Sequence, residues 1–291
     1  MLYAEHEERR MSEDVTERIR DFYMENPFPD YENVDSIASL MDKSARSVFA
    51  KSLNDSIPYG AQILEVGCGT GQMSIFLSLA NRRVYATDLC PNSLQLARKF
   101  RDRHGLDRVF FYQMNLFRPI FNENMFDLVY CSGVLHHTAF PLKGFLSISR
   151  LLKPKGFIII GLYNKYMRIP TQIRGLLSQI IDISSIEPVM KRLKTDCKKL
   201  TWFNDQYRNP HESSHTIHEV ISWFNTAGIG FVNSIPASRL GQTNRALMEP
   251  FHSIGIGNRF EIFLSQIQAL RTFGREGGLF IVIGKKDSRR V

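Results

Sequence analysis

From residue 62 to residue 164 the chain alternates short apolar runs with amphipathic segments, and no other feature narrows the possible folds as far. QILEVGC (62–68), RRVYATD (82–88), VFFYQMN (109–115), FDLVYCS (126–132) and FIIIGLYN (157–164) are dense in β-branched and aromatic residues, so they read as strands. Between most of them lie helical patterns: GQMSIFLSLA (71–80), PNSLQLARKFRDRHG (91–105) and FPLKGFLSISRLL (140–152). Strand, helix, strand at this spacing requires right-handed crossovers and a parallel sheet covered on both faces. The fold expected is a doubly wound α/β domain, whose ligands bind beyond the carboxyl ends of the strands.

The flanks are decoration on that core. Residues 12–24 place Val15, Ile19, Phe22 and Tyr23 at helical spacing behind Ser12, a candidate cap, and ENPFPDYEN then forbids continuation and leaves Phe28 and Tyr31 on extended backbone. A second helical stretch, about 35–53, leads to a turn at Pro58 and Gly60. Residues 165–215 form a helical and irregular insertion, and Thr216 to Glu219 opens a capping box for a helix through about Ala227. FVNSIP and LFIVIGKK are two more strands, separated by a second insertion, about 237–275, with a helix near 259–273. The organisation expected is an N-terminal helical arm (1–60) and one domain (61–291).

Apolar runs are too short to span a bilayer, and MLYAEHEERRMSED is charged where a signal peptide carries its apolar stretch, so a cytoplasmic chain is expected. Cys68, Cys90, Cys131 and Cys197 have no metal or disulfide spacing and read as buried thiols. The net charge of +8 is concentrated in RKFRDR (98–103), KRLKTDCKK (191–199) and KKDSRRV (285–291). Such runs suit either solvated faces or a phosphate track.

The functional signal begins where the first strand runs into Glu65-Val66-Gly67-Cys68-Gly69-Thr70-Gly71, followed by Asp88 at the end of the second strand. Glycines permit a sharp turn and direct approach of a ligand to the backbone, and a carboxylate offers two acceptor oxygens to a ribose diol. A dinucleotide fingerprint needs a small residue at position 72, which is Gln72. The G-x-G-x-G spacing, with an acid two positions before it, instead resembles the class I S-adenosylmethionine-dependent methyltransferases. The resemblance extends through ATDLCPNSL (86–94), FDLVYCSGVLHH (126–137) and LLKPKGFIIIG (151–161).

That resemblance implies a mostly parallel seven-stranded sheet with an antiparallel last strand, S-adenosylmethionine as methyl donor and S-adenosylhomocysteine as product. Glu65, Gly67, Gly69 and Gly71 would line the methionine and ribose portions, and Asp88 would hold the ribose hydroxyls. Leu89, Asn115 and Leu116 would lie about the adenine, with Asn115 where the family usually has an acid. Ser132 would lie near the methyl.

His136 and His137 follow the fourth strand, where a base for a protonated acceptor belongs, and His136 is the first choice. His211-Glu212-Ser213-Ser214-His215 matches the zinc-protease string HExxH, but the box at Thr216 puts both histidines ahead of the helix, so no metal site is expected. A lid is the better reading of 205–216, with Tyr207, His211 and Glu212 touching substrate. NPFP (26–29) is similar to a motif of amino-methylating enzymes yet precedes the first strand, where that motif does not occur. Three functions follow: methylation of a small, apolar or aromatic acceptor; methylation of RNA, tRNA in particular, tracked by the basic segments; or a non-catalytic, homodimeric cofactor-binding module.

Overall fold

The computed structural model describes residues 2–27, 36–178, 196–271 and 277–288. Phe28 and Tyr31 lie outside the described residues, as does 179–195 of the first insertion.

Seven strands form one sheet in the order β3-β2-β1-β4-β5-β7-β6. They are β1 (Gln62–Val66), β2 (Arg83–Asp88), β3 (Val109–Gln113), β4 (Phe126–Ser132), β5 (Leu152–Tyr163), β6 (Ile229–Ile235) and β7 (Leu279–Lys286). β7 alone runs antiparallel to its neighbours, pairing Ile160 with Val282 on one side and Ile235 with Ile281 on the other. This is the sheet the sequence implied.

Strand residues alternate between two buried clusters, as a sheet covered on both faces requires. Ile63 and Ile159 pack on one side, with Leu40, Leu53, Ile75 and Leu94. Leu64, Ile158 and Ile160 pack on the other, with Phe145 and Phe224, whose rings stack at 5.5 Å. The first face is covered by α2 (Ile37–Ala45), α3 (Val48–Ser56), α4 (Gln72–Ser78) and α5 (Pro91–Arg103). The second is covered by α6 (Pro141–Ser149) and α9 (Ile217–Thr226).

Several boundaries differ from the sequence reading, each for a local reason. The first helix, α1 (Leu2–Glu25), begins ten residues earlier, because the Glu- and Arg-rich stretch before Ser12 has high helix propensity; Ser12 lies inside the helix and not at its cap. The 35–53 stretch is two helices, divided at Arg46 and Ser47; the Ser47 side chain accepts from the Ala50 N–H and so starts α3. β5 begins five residues early, passing through Lys155 at φ +64°, and the β4 pairing shifts register there. At α9 the Thr216 hydroxyl accepts from the Glu219 N–H, but the Glu219 carboxylate turns to His215 Nδ1 at 2.8 Å and leaves the box half made. The first insertion contains α7 (Ile169–Leu177) and α8 (Asp196–Tyr207); the second contains α10 (Thr243–Met248) and α11 (Arg259–Gln268).

Candidate functional site

At the carboxyl end of the sheet, beside the turn between β1 and α4, lies a cavity of about 570 Å³. Its size is that of a small-molecule site.

Its floor is the glycine turn. Gly67 adopts φ +72°, and a Cβ there would fall 2.1 Å from Val134 Cγ2 in the cavity wall. Gly69 N–H donates to Asp88 Oδ2 at 2.8 Å, and Cys90 N–H donates to Asp88 Oδ1 at 2.8 Å. Glycine loop and carboxylate therefore meet at one place, with lone pairs of Asp88 left over for a diol. Burial pushes the Asp88 carboxyl up, while the amides of Cys90, Gly69 and Leu89 oppose that shift.

Gly71 is the exception among the expected cofactor contacts. Among the described residues it is not part of the cavity wall. It starts α4 at φ +79°, and a Cβ would meet Phe111 Cε1 at 2.5 Å, so its glycine is demanded by packing. Gly71→Ala is expected to cost about 1–3 kcal/mol in urea denaturation, from combined backbone strain and overpacking. A cost under a few tenths would show that the ring simply moves aside.

Glu65, Leu89, Asn115, Leu116 and Ser132 do line the cavity. Asn115 Oδ1 already accepts from Phe117 N–H at 2.9 Å, which fixes the amide and leaves one lone pair on that oxygen. Glu65 is buried and accepts from the Ser74 hydroxyl. Burial pushes its carboxyl from 4.5 up to about 8. Between those values the native state keeps a proton that the unfolded chain has released, so stability falls as pH rises across that window. The slope is at most about 1.4 kcal/mol per pH unit. Glu65→Gln is expected to flatten it, as followed by urea melts at several pH values; an unchanged slope in the variant would place its origin elsewhere.

The remaining wall comes from distant parts of the chain. Thr16, Ile19, Arg20 and Tyr23 form one stripe of α1 facing the cavity, and α8 contributes Trp202, Asp205 and Gln206. The two helices are tied together: the Tyr23 hydroxyl donates to Asp205 Oδ1 at 2.8 Å, and Asn204 Nδ2 donates to Asn26 Oδ1 at 2.9 Å. Burial and the adjoining Asp205 carboxylate raise the Tyr23 phenol well above its ordinary value, so it remains a donor.

Arg168, at the start of α7, locks this lid. Its guanidinium is 1% exposed and bridges Glu212 through Nε (2.8 Å) and Nη2 (2.5 Å). It also donates to the Gln206 side chain and carbonyl and to the Gly277 carbonyl, and lies 3.8 Å from the Tyr163 ring centroid.

The histidines divide differently from the sequence reading. His136 is wholly buried against Tyr163 (4.0 Å between centroids), outside the cavity wall, and neither of its nitrogens has a partner among the described residues. His137 lines the cavity instead. The 3-10 turn Leu135–His137 carries the two rings in different directions, which their adjacency in sequence could not reveal. His211 is also outside the wall; its Nε2 faces the Thr138 carbonyl at 3.2 Å, and its own carbonyl meets His137 Nδ1. His215 bonds Ser213 and Glu219, while Glu212 bonds Arg168, so the HExxH side chains converge on no common point. Tyr207 accepts from Arg174 and touches no part of the cavity. Cys68, Cys90 and Cys131 are buried free thiols.

An adenosyl sulfonium suits these residues. Asp88 has acceptor capacity for a ribose diol, Gly67 leaves the floor open, and Leu89, Met114 and Leu116 supply apolar surface for a base.

A family model described as a methyltransferase domain matches residues 64–160. An uncharacterized protein of Synechococcus sp. is 25% identical over 235 residues, covering 69% of this chain and 56% of its own. A ubiquinone biosynthesis O-methyltransferase of Actinobacillus pleuropneumoniae is 29% identical over 115 residues, 38% of this chain and 49% of that protein. The chain thus spans about half the length of the curated relatives it matches. Among solved structures, the YcgJ protein from Bacillus subtilis aligns with a TM-score of 0.51 at 15% identity, over 84% of this chain and 99% of that one. That likeness establishes the shared fold. No helix among the described residues is long and apolar enough to cross a membrane.

Proposed function

We propose that this protein, whose residues 64–160 match a methyltransferase-domain model, is a class I S-adenosylmethionine-dependent methyltransferase that transfers the methyl group to a small acceptor bound in the cavity beside α1 and α8. When bound, S-adenosylmethionine supplies a methyl carbon made electrophilic by its sulfonium. The chain holds the donor through Asp88 and the glycine turn, and orients the acceptor. The largely apolar wall lowers the polarity around the reacting atoms while charge is dispersed in the displacement.

One observation carries this reading: the turn, Asp88 and His137 line the same cavity, of about 570 Å³, as Tyr23 and Asp205. The wall is largely apolar, which supports an apolar or aromatic acceptor over a polynucleotide. Two cations of the basic segments serve the fold: Arg98 donates to the Phe111 carbonyl and Lys286 to the Leu152 carbonyl, while residues 191–195 and 289–291 of those segments lie outside the described residues.

The test is incubation of the protein with methyl-labelled S-adenosylmethionine and cell extract, followed by separation of small molecules, RNA and protein. Label in the small-molecule fraction is expected. Label confined to RNA or to protein would overturn the acceptor class.

A further inference from the structure

We propose that His137 is the general base of this site and that the acceptor it serves reacts through a hydroxyl group; the proposal rests on the methyl-transfer reading above. Chain geometry places the ring. β4 ends at Ser132, Gly133 turns at φ +80°, and the following 3-10 turn delivers His137 to the cavity wall next to Val134 and Thr138.

The ring's tautomer follows from one contact. Nδ1 lies 2.8 Å from the His211 carbonyl oxygen, which can only accept. The proton of the neutral ring therefore sits on Nδ1, and Nε2 carries the lone pair. No protein group among the described residues takes Nε2.

Surroundings favour a ring that rests neutral and is stabilised once charged. Burial lowers its proton affinity, and Arg168 adds to that; the Asp205 carboxylate, the His211 carbonyl and Glu212 act in the opposite sense. The other groups packed about it are the Tyr23 ring at 6.3 Å, the Tyr163 ring at 5.8 Å and His136 at 4.2 Å. Asp205 and Glu212, held in place by Tyr23 and Arg168, thus also favour the imidazolium once a proton arrives there.

Only an acceptor that carries a proton on the attacking atom needs a base. A neutral hydroxyl on an apolar body enters such a wall with less desolvation cost than an ammonium. In the step, an oxygen lone pair forms the new bond to the methyl carbon as the carbon–sulfur bond breaks and its pair returns to sulfur. The hydroxyl proton passes to His137 Nε2 and thence to water. Atoms and charge balance with no further reactant.

The test uses His137→Asn, whose amide nitrogen can keep the bond to the His211 carbonyl while nothing replaces Nε2. Catechol serves as the hydroxyl probe and 1,2-diaminobenzene as its amine counterpart, each with methyl-labelled S-adenosylmethionine. The expected result is methylated catechol, formed at least about 100-fold more slowly by the variant. Calorimetric affinity for S-adenosylmethionine should stay within about twofold, in keeping with an effect confined to the transition state. The wild-type rate should rise with pH through a single ionisation that the variant lacks. Label in the diamine alone, label in neither probe, or a variant within a few-fold of wild type would overturn the proposal.

Nitrogen NMR of the wild-type ring at pH 7 gives a readout independent of turnover. A neutral Nδ1–H tautomer is expected, and an Nε2–H tautomer would contradict it. Failure of the wild type to bind S-adenosylmethionine would remove the methyl-transfer reading itself. Binding without hydroxyl methylation would remove only the base.

Discussion

Replacing Asp88 by alanine is expected to weaken binding of S-adenosylmethionine by about 100-fold or more, measured by equilibrium dialysis with labelled ligand. Two contributions add. The carboxylate would take hydrogen bonds from the ribose diol, and bonds to a charged acceptor are worth about 1.5–3 kcal/mol each. It also accepts from Gly69 and Cys90, so its loss frees the backbone that shapes the glycine turn and the start of α5. Asp88→Asn retains one oxygen for an amide and should lie between wild type and alanine. An alanine variant that binds as wild type does would show that the donor sits elsewhere in the cavity.

The second large effect is on stability. Arg168→Ala is expected to destabilise the protein by about 3–5 kcal/mol, because it leaves Glu212 and the Gln206 and Gly277 carbonyls without their buried cation. For a chain of this size that corresponds to a fall in Tm of about 5–8 °C by calorimetry. The double variant Arg168→Met, Glu212→Leu should recover part of the loss, since both charges leave together. A single variant within about 1 kcal/mol of wild type would mean that the lid is held mainly by the α1 to α8 contacts around Tyr23 and Asp205.

What could be read from the sequence was what is local in the chain. The turn at 65–71 and Asp88 occupy consecutive βα units, so the strand pattern alone brings them to one edge. Leu89, Asn115 and Leu116 follow strand ends in the same way, and Ser132 is the last residue of β4. Tyr23 and Asp205 meet across 182 residues of chain, and no periodicity in α1 or α8 marks their contact. Arg168 carries no local signature either; its partners come from α8, the segment after it and the approach to β7.

Local ambiguity accounts for the other differences. His136 and His137 are neighbours, and only the local 3-10 turn decides which ring lines the cavity. Gly71 is required by its positive φ and by contact with Phe111, a packing reason that a glycine count cannot distinguish from contact with a cofactor. Glu219 could complete a capping box or bond His215, and it takes the second course because that histidine is buried one turn away.

The central claim is that the floor formed by Gly67, Gly69 and Asp88 holds an adenosyl sulfonium. Calorimetric titration of the folded wild-type protein with S-adenosylmethionine tests it most directly. Saturable binding at one site per chain, competed by S-adenosylhomocysteine, is the result predicted. No heat and no competition from a protein that melts cooperatively would contradict it.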